Sequence, residues 1–112
     1  MTIDKREKTV IVTSSKDTFE DLNSFINEYY TTFSNKNLIL DLSKNKKIKE
    51  EELYNFEQLQ EKQFLIEKSF VLVARNIDFD TVGDTVMVVP SLTEAFDMVD
   101  MEEIERDLLK EE

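Results

Sequence analysis

Four short aliphatic runs that do not alternate apolar with polar residues constrain this chain most: TVIVT at 9–13, NLILDL at 37–42, SFVLVA at 69–74 and TVMVV at 85–89. β-Branched residues suit the extended chain. Runs without period-two alternation fit strands buried on both faces, as in a parallel sheet covered by helices. Their uninterrupted apolar stretches hold five residues at most, at 70–74, whereas a bilayer span needs about 20. No membrane partner is therefore expected.

Helical periodicity fills the intervals. Phe19, Leu22, Phe25, Ile26, Tyr29, Tyr30 and Phe33 recur at spacings of three and four, which places them on one face. Asp17 and Glu20 read as a capping box ahead of them, so a helix is predicted over 18–33. Leu53, Phe56, Leu59 and Phe64 mark a second helix, with Glu50, Glu51 and Glu52 in its first turn against the positive end of the dipole. Gly83 reads as part of a loop between the third and fourth runs. Pro90 stops the last strand, and Ser91 with Glu94 caps a helix to about residue 99. A further helical stretch over 101–109 offers Met101, Ile104, Leu108 and Leu109 as its apolar side. Ile3 begins a short partner strand across a turn at 4–7. Strands alternating with helices require right-handed crossovers and a mostly parallel sheet. The expectation is a single α/β domain over 1–112, with a mixed, largely parallel sheet of four to five strands and about four helices.

Composition narrows the chemistry. The 112 residues contain no cysteine, no histidine and one glycine. Disulfides, thiolate metal sites and Ser-His-Asp or Cys-His pairs are thereby excluded, as are glycine-rich phosphate loops. Asp78-Phe79-Asp80 followed by Gly83 resembles the start of a calcium loop, but Val82 and Val89 stand where ligands are required. That stretch reads as a solvated loop between two strands. Glu50 with Glu51, and Glu102 with Glu103, are adjacent pairs that point in different directions on a helix and read as solvated surface. No catalytic residue, cofactor or metal is expected.

The net charge is −11, which repels nucleic-acid phosphates, so no nucleic-acid partner is expected. Residues 91–112 hold nine acidic side chains against Arg106 and Lys110. The opposite sign gathers at Lys44, Lys46, Lys47 and Lys49. This loop reads either as a plain polar connection or as a docking point for an acidic partner or phosphate near a helix start. Ligands of open α/β sheets bind beyond the carboxyl ends of strands. Ser43 and Arg75 would emerge there with Lys46, which makes these three candidates for a shared surface. Tyr29 and Tyr30 have the character of interface anchors, although their place on the apolar helical face assigns at least one to the core. The charged N-terminus, MTIDKREKTV, lacks the apolar stretch of a signal peptide. With the absence of cysteine, it leads to an expected cytoplasmic location.

In element order, residues 9–99 resemble the STAS domain, the fold of bacterial anti-sigma-factor antagonists. The resemblance is carried by NLILDLSKNKKIKEEELYNFEQL, KSFVLVA and VVPSLTEAFDM. It implies a regulatory module that binds a partner kinase and is switched by phosphorylation of a serine at the entry to the helix after a central strand. Aligned on NLILDLS, that position falls on Glu50 or Glu51, so the hydroxyl of the family switch is missing and Ser43 lies several residues early. The closing stretch VVPSLTEAFDMVDMEEIERDL is similar to a family of short bacterial proteins often labelled ribonuclease Z. That label implies a zinc hydrolase whose ligands are largely histidines, and this sequence has none.

The function expected is a non-catalytic, STAS-like interaction module. It would dock on a protein partner through the strand-to-helix loop near 43–51, with Ser43, Lys46, Lys47, Lys49, Glu50, Glu51 and Arg75 as candidate contacts. The alternative is a sensor of a small ligand or nucleotide at the strand ends. A homodimer stays open.

Overall fold

Residues 1–33 and 35–110 are described by a computed structural model. The aliphatic runs form β2 (Thr9–Thr13), β3 (Asn37–Asp41), β4 (Phe70–Val73) and β5 (Val88–Val89), which lie parallel and side by side in chain order. An exposed strand, β1 (Thr2–Lys5), adds antiparallel to β2 with Ile3 opposite Val12. The turn between them is closed by the Arg6 amide donating to the Thr9 carbonyl at 2.9 Å, slightly later than the sequence places it. The result is an α/β fold built on one mixed, mostly parallel five-stranded sheet.

Strands added in one direction, each through a right-handed crossover, put their connections on one face of the sheet. Val10, Val12, Leu38, Leu40, Phe70 and Leu72 pack on that face against three connections. The first is α1 (Phe19–Phe33), through Leu22, Ile26 and Phe33. The second is a 3-10 segment (Glu50–Phe56) running into α2 (Glu57–Leu65), through Leu53 and Phe56. The third is α3 (Phe79–Gly83), through Val82. The other face, with Ile11, Ile39, Val71, Val73 and Val89, is covered by α4 (Leu92–Lys110) through Ala95 and Val99. Side chains alternate faces along a strand, so continuous aliphatic runs feed both layers. Each fully buried aliphatic contributes roughly 1.5–3 kcal/mol.

Several elements differ from the sequence reading. The cap of α1 is Thr18 with Asp21, not Asp17 with Glu20: Thr18 Oγ1 accepts from the Asp21 amide at 3.2 Å, and Asp21 Oδ2 accepts from the Thr18 amide at 3.1 Å. Asp17 instead accepts from Ser14 Oγ at 2.8 Å. The stretch around Asp78 is not a solvated loop. Asp78 caps α3 by accepting from the Thr81 amide at 3.1 Å and the Thr81 hydroxyl at 2.9 Å, and Val82 behind it is fully buried. The two C-terminal helical stretches are one helix, since neither glycine nor proline interrupts Leu92–Lys110. Finally, Phe64 does not join the core: it is 76% exposed, and Gln63 is buried in its place.

Gln63 is tolerated there because its amide is fully used at the amino ends of β3 and β4. It accepts from Tyr30 Oη at 2.9 Å and donates to the Lys36 and Ser69 carbonyls at 2.9 and 3.1 Å. Buried Asn37 extends the network, accepting from the Ser69 amide at 2.8 Å and donating to Glu103 of α4 at 2.6 Å. Among the described residues no buried side-chain polar atom lacks a partner, as the cost of burying an unpaired one requires.

Candidate functional site

The carboxyl ends of β3 and β4 open into a cleft of about 310 Å³ lined by Ser43, Lys46, Ile48, Glu50, Arg75 and Asn76. Its first wall is the loop leaving β3. The Leu42 amide donates to the Val73 carbonyl at 2.8 Å, which holds the chain beside β4 for one residue beyond the strand. Ser43 then turns back on Asp41, with both its amide and its hydroxyl donating to Asp41 Oδ1, at 3.0 and 2.7 Å. Such local side-chain bonds are what make Asp and Ser turn-forming residues.

Asn45 anchors the rest of the loop. Its Nδ2 donates to Ser14 Oγ at 2.8 Å and to the Asp17 carbonyl at 2.9 Å, tying the loop to the β2–α1 connection. Its Oδ1 accepts from the Lys47 and Ile48 amides at 2.8 and 3.2 Å. With Asn45 buried, Lys44, Lys46 and Lys47 are exposed around it. The 3-10 segment then starts where Glu52 Oε1 accepts from the Lys49 amide at 2.9 Å.

The second wall follows β4. Arg75 is exposed at the strand end, and Asn76 takes a left-handed backbone with φ 59°, a conformation asparagine tolerates better than most residues. Glu50 bridges the walls by accepting from the Asp78 amide at 2.8 Å. The Thr81 amide, and then its hydroxyl, hold the Asp78 carboxyl below the ordinary carboxylate range.

Ser43, Lys46, Glu50 and Arg75 are therefore brought together by this geometry. Lys47, Lys49 and Glu51 are exposed outside the lining. Neither Lys46 nor Arg75 has an ion-pair or hydrogen-bond partner among the described residues, so both cations are available to an incoming anion. The Ser43 hydroxyl donates to the Asp41 carboxylate at 2.7 Å within a turn. Asn45 escaped the sequence reading. The signal for Asn45 was an asparagine inside a lysine-rich loop, and only the fold shows that it is buried. Among the described residues no three acidic side chains gather to hold a metal ion, and no helix is long and apolar enough to cross a membrane. No family model and no curated protein matches the chain.

Proposed function

We propose that this protein is a non-catalytic, STAS-like interaction module that binds an acidic segment of a protein partner in the cleft at the carboxyl ends of β3 and β4. The observation that carries this reading is the pair of unpaired cations, Lys46 and Arg75, on one preorganised cleft of a chain whose net charge is −11. Cations kept free of intramolecular carboxylates on so acidic a protein favour an anionic group from outside. The loop carrying Lys46 is already ordered by Asn45, which lowers the entropy lost on binding. The STAS part of the reading rests on the resemblance of the sequence in element order. The absence of histidine and cysteine argues against catalysis. Glu50 or Glu51 stands at the family's switch position, and Glu50 accepts from the Asp78 amide, so partner binding here runs without a phosphorylated serine at that point.

Affinity capture from the native cell tests the reading. Wild-type protein is expected to retain a partner that the Lys46→Glu/Arg75→Glu variant releases, with unchanged circular dichroism. Equal capture by both proteins would remove the cleft from the interface.

A second reading rests on the concavity itself. A volume of about 310 Å³ lies at the small end of ligand pockets, roughly 300–1,000 Å³, and Ser43 and Asn76 add polar groups beside the two cations. A small anion bound there would raise the melting temperature, by the equivalent of about 2.7 kcal/mol at a hundredfold excess over Kd. A panel of nucleotides and inorganic anions that leaves the melting temperature unchanged would exclude this reading.

A further inference from the structure

We propose that the outward face of α4, with the groove beside it, docks a basic amphipathic helical segment of another protein. This surface lies at the opposite end of the sheet from the Lys46–Arg75 cleft and is independent of it. Two contacts fix the rotation of α4: Asn37 donates to Glu103 at 2.6 Å and Arg106 donates to Ser69 Oγ at 3.2 Å, both at the amino ends of β3 and β4. With Ala95 and Val99 against the sheet, Met101, Ile104 and Leu108 point the other way at 54, 59 and 58% exposure. Their spacing of three and four is that of an a/d seam, the pattern by which one helix packs on another. The stripe is apolar over these two turns, whereas one turn earlier exposed Asp97 occupies the same face, as on a solvated helix.

A groove runs beside this stripe and meets α4 through Glu105 and Leu109 rather than through the seam residues. It measures about 960 Å³ between the end of α2 and α4, and Phe64, Leu65 and Leu109 line it at 76, 74 and 69% exposure. Exposed apolar groups that are contiguous and rimmed by charge mark interaction sites.

The charges flanking the seam select the occupant. Asp100 and Asp107 lie on one side and Glu105 on the other, all exposed and without an ion-pair partner among the described residues. Glu57, Glu61 and Glu102 continue the acidic rim along the groove. Of the cations on the groove, Lys110 is tied to Glu67 at 3.0 Å and Arg106 donates to Ser69, while Lys68 also lines it and is outnumbered by the carboxylates. A second copy of this chain does not fit. In a parallel pair the Asp positions would face Glu105 of the other helix. In an antiparallel pair Asp would face Asp and Glu would face Glu. Both arrangements oppose like charges, which is how such flanks reject partners. Anionic lipid and nucleic acid are repelled for the same reason. A helix with leucine-like residues on its seam and Lys or Arg beside them satisfies both the apolar and the charged parts.

Fluorescence anisotropy with synthetic helices of about three heptads provides the test, using Leu at the seam and Lys at the flanks. The comparison peptides are a scrambled sequence of the same composition and a version with Glu flanks. At about 0.15 M salt, the Lys-flanked helix is expected to bind at least ~10-fold tighter than either. Ile104→Glu/Leu108→Glu should remove that binding, and Lys46→Glu/Arg75→Glu should leave it intact, which separates this surface from the cleft. Asp100→Lys/Glu105→Lys/Asp107→Lys should transfer the preference to the Glu-flanked helix. Equal binding of patterned and scrambled peptides, no saturable binding, or sedimentation as a dimer that Ile104→Glu/Leu108→Glu dissolves would each overturn the proposal.

Discussion

At the scale of single residues, buried amides carry much of the specification. Gln63 joins α1, α2 and the start of β4 through three hydrogen bonds, including one from Tyr30 Oη. Replacing it with leucine would preserve bulk but strand the Lys36 carbonyl and the Tyr30 hydroxyl. The Ser69 carbonyl would still accept from the Leu38 amide at 2.9 Å. Gln63→Leu is therefore expected to cost about 1–3 kcal/mol, read as a lower midpoint in urea. Tyr30 also makes stability depend on pH in the alkaline range. Burial pushes its hydroxyl above the ordinary 10.0, because a buried phenolate is poorly solvated. While both folded and unfolded states are neutral, this has no effect. As pH climbs past 10.0 the unfolded chain ionises first, so stability falls until the folded-state value is passed. Tyr30→Phe should lose less stability than wild type between neutral pH and that range, as followed by urea unfolding at a series of pH values. None of this was legible in the sequence, where Gln63 is one polar residue of a polar helix and Asn45 one more in a loop of lysines. Which polar side chains are buried depends on contacts that are distant along the chain.

At the scale of elements, helical phase decided what the sequence could tell. Leu53, Phe56, Leu59 and Phe64 fit a single α-helical face, but the chain first makes a 3-10 segment over Glu50–Phe56 and only then α2. Three residues per turn rather than 3.6 rotates the later residues, so Gln63 turns inward and Phe64 outward. The two phenylalanines should then respond oppositely. Phe56 is 3% exposed and meets the Phe19 ring edge-on at 5.4 Å, so Phe56→Ala should cost about 3–5 kcal/mol. Phe64→Ala should change stability by no more than about 0.5 kcal/mol. Chemical denaturation of both variants checks the contrast, and equal losses would contradict the phase shift. The start of α1 shows a smaller version of the same ambiguity. Asp17-Thr18 with Glu20-Asp21 offers two caps in adjacent registers, and the structure uses Thr18 with Asp21. By contrast, the aliphatic runs forecast the covered parallel strands, because burial on both faces leaves continuous apolar stretches, although the last run, 85–89, is strand only over Val88–Val89.

At the scale of the whole molecule, charge and topology work together. Consecutive parallel strands put every crossover on one face and leave α4 to cover the other. The carboxyl-end loops then gather Ser43, Lys46 and Arg75, which the sequence reading grouped from strand direction alone. The net charge of −11 works against this compact state. Of the ion pairs seen, Arg6–Asp4 and Lys110–Glu67 are well exposed and worth little. Added salt should therefore stabilise the protein: shortening the Debye length from about 30 Å to about 8 Å is expected to raise the melting temperature, and a fall would show that attractive pairs dominate. The central claim is that the carboxyl-end cleft is where the protein meets its partner. Photo-crosslinking in the native cell tests it most directly, with a photoreactive residue at exposed Lys47, beside the cleft but outside its lining. The account predicts a protein adduct that disappears when Lys46→Glu/Arg75→Glu is added. An adduct of equal yield in that variant, or none in the protein with both cations intact, would contradict it.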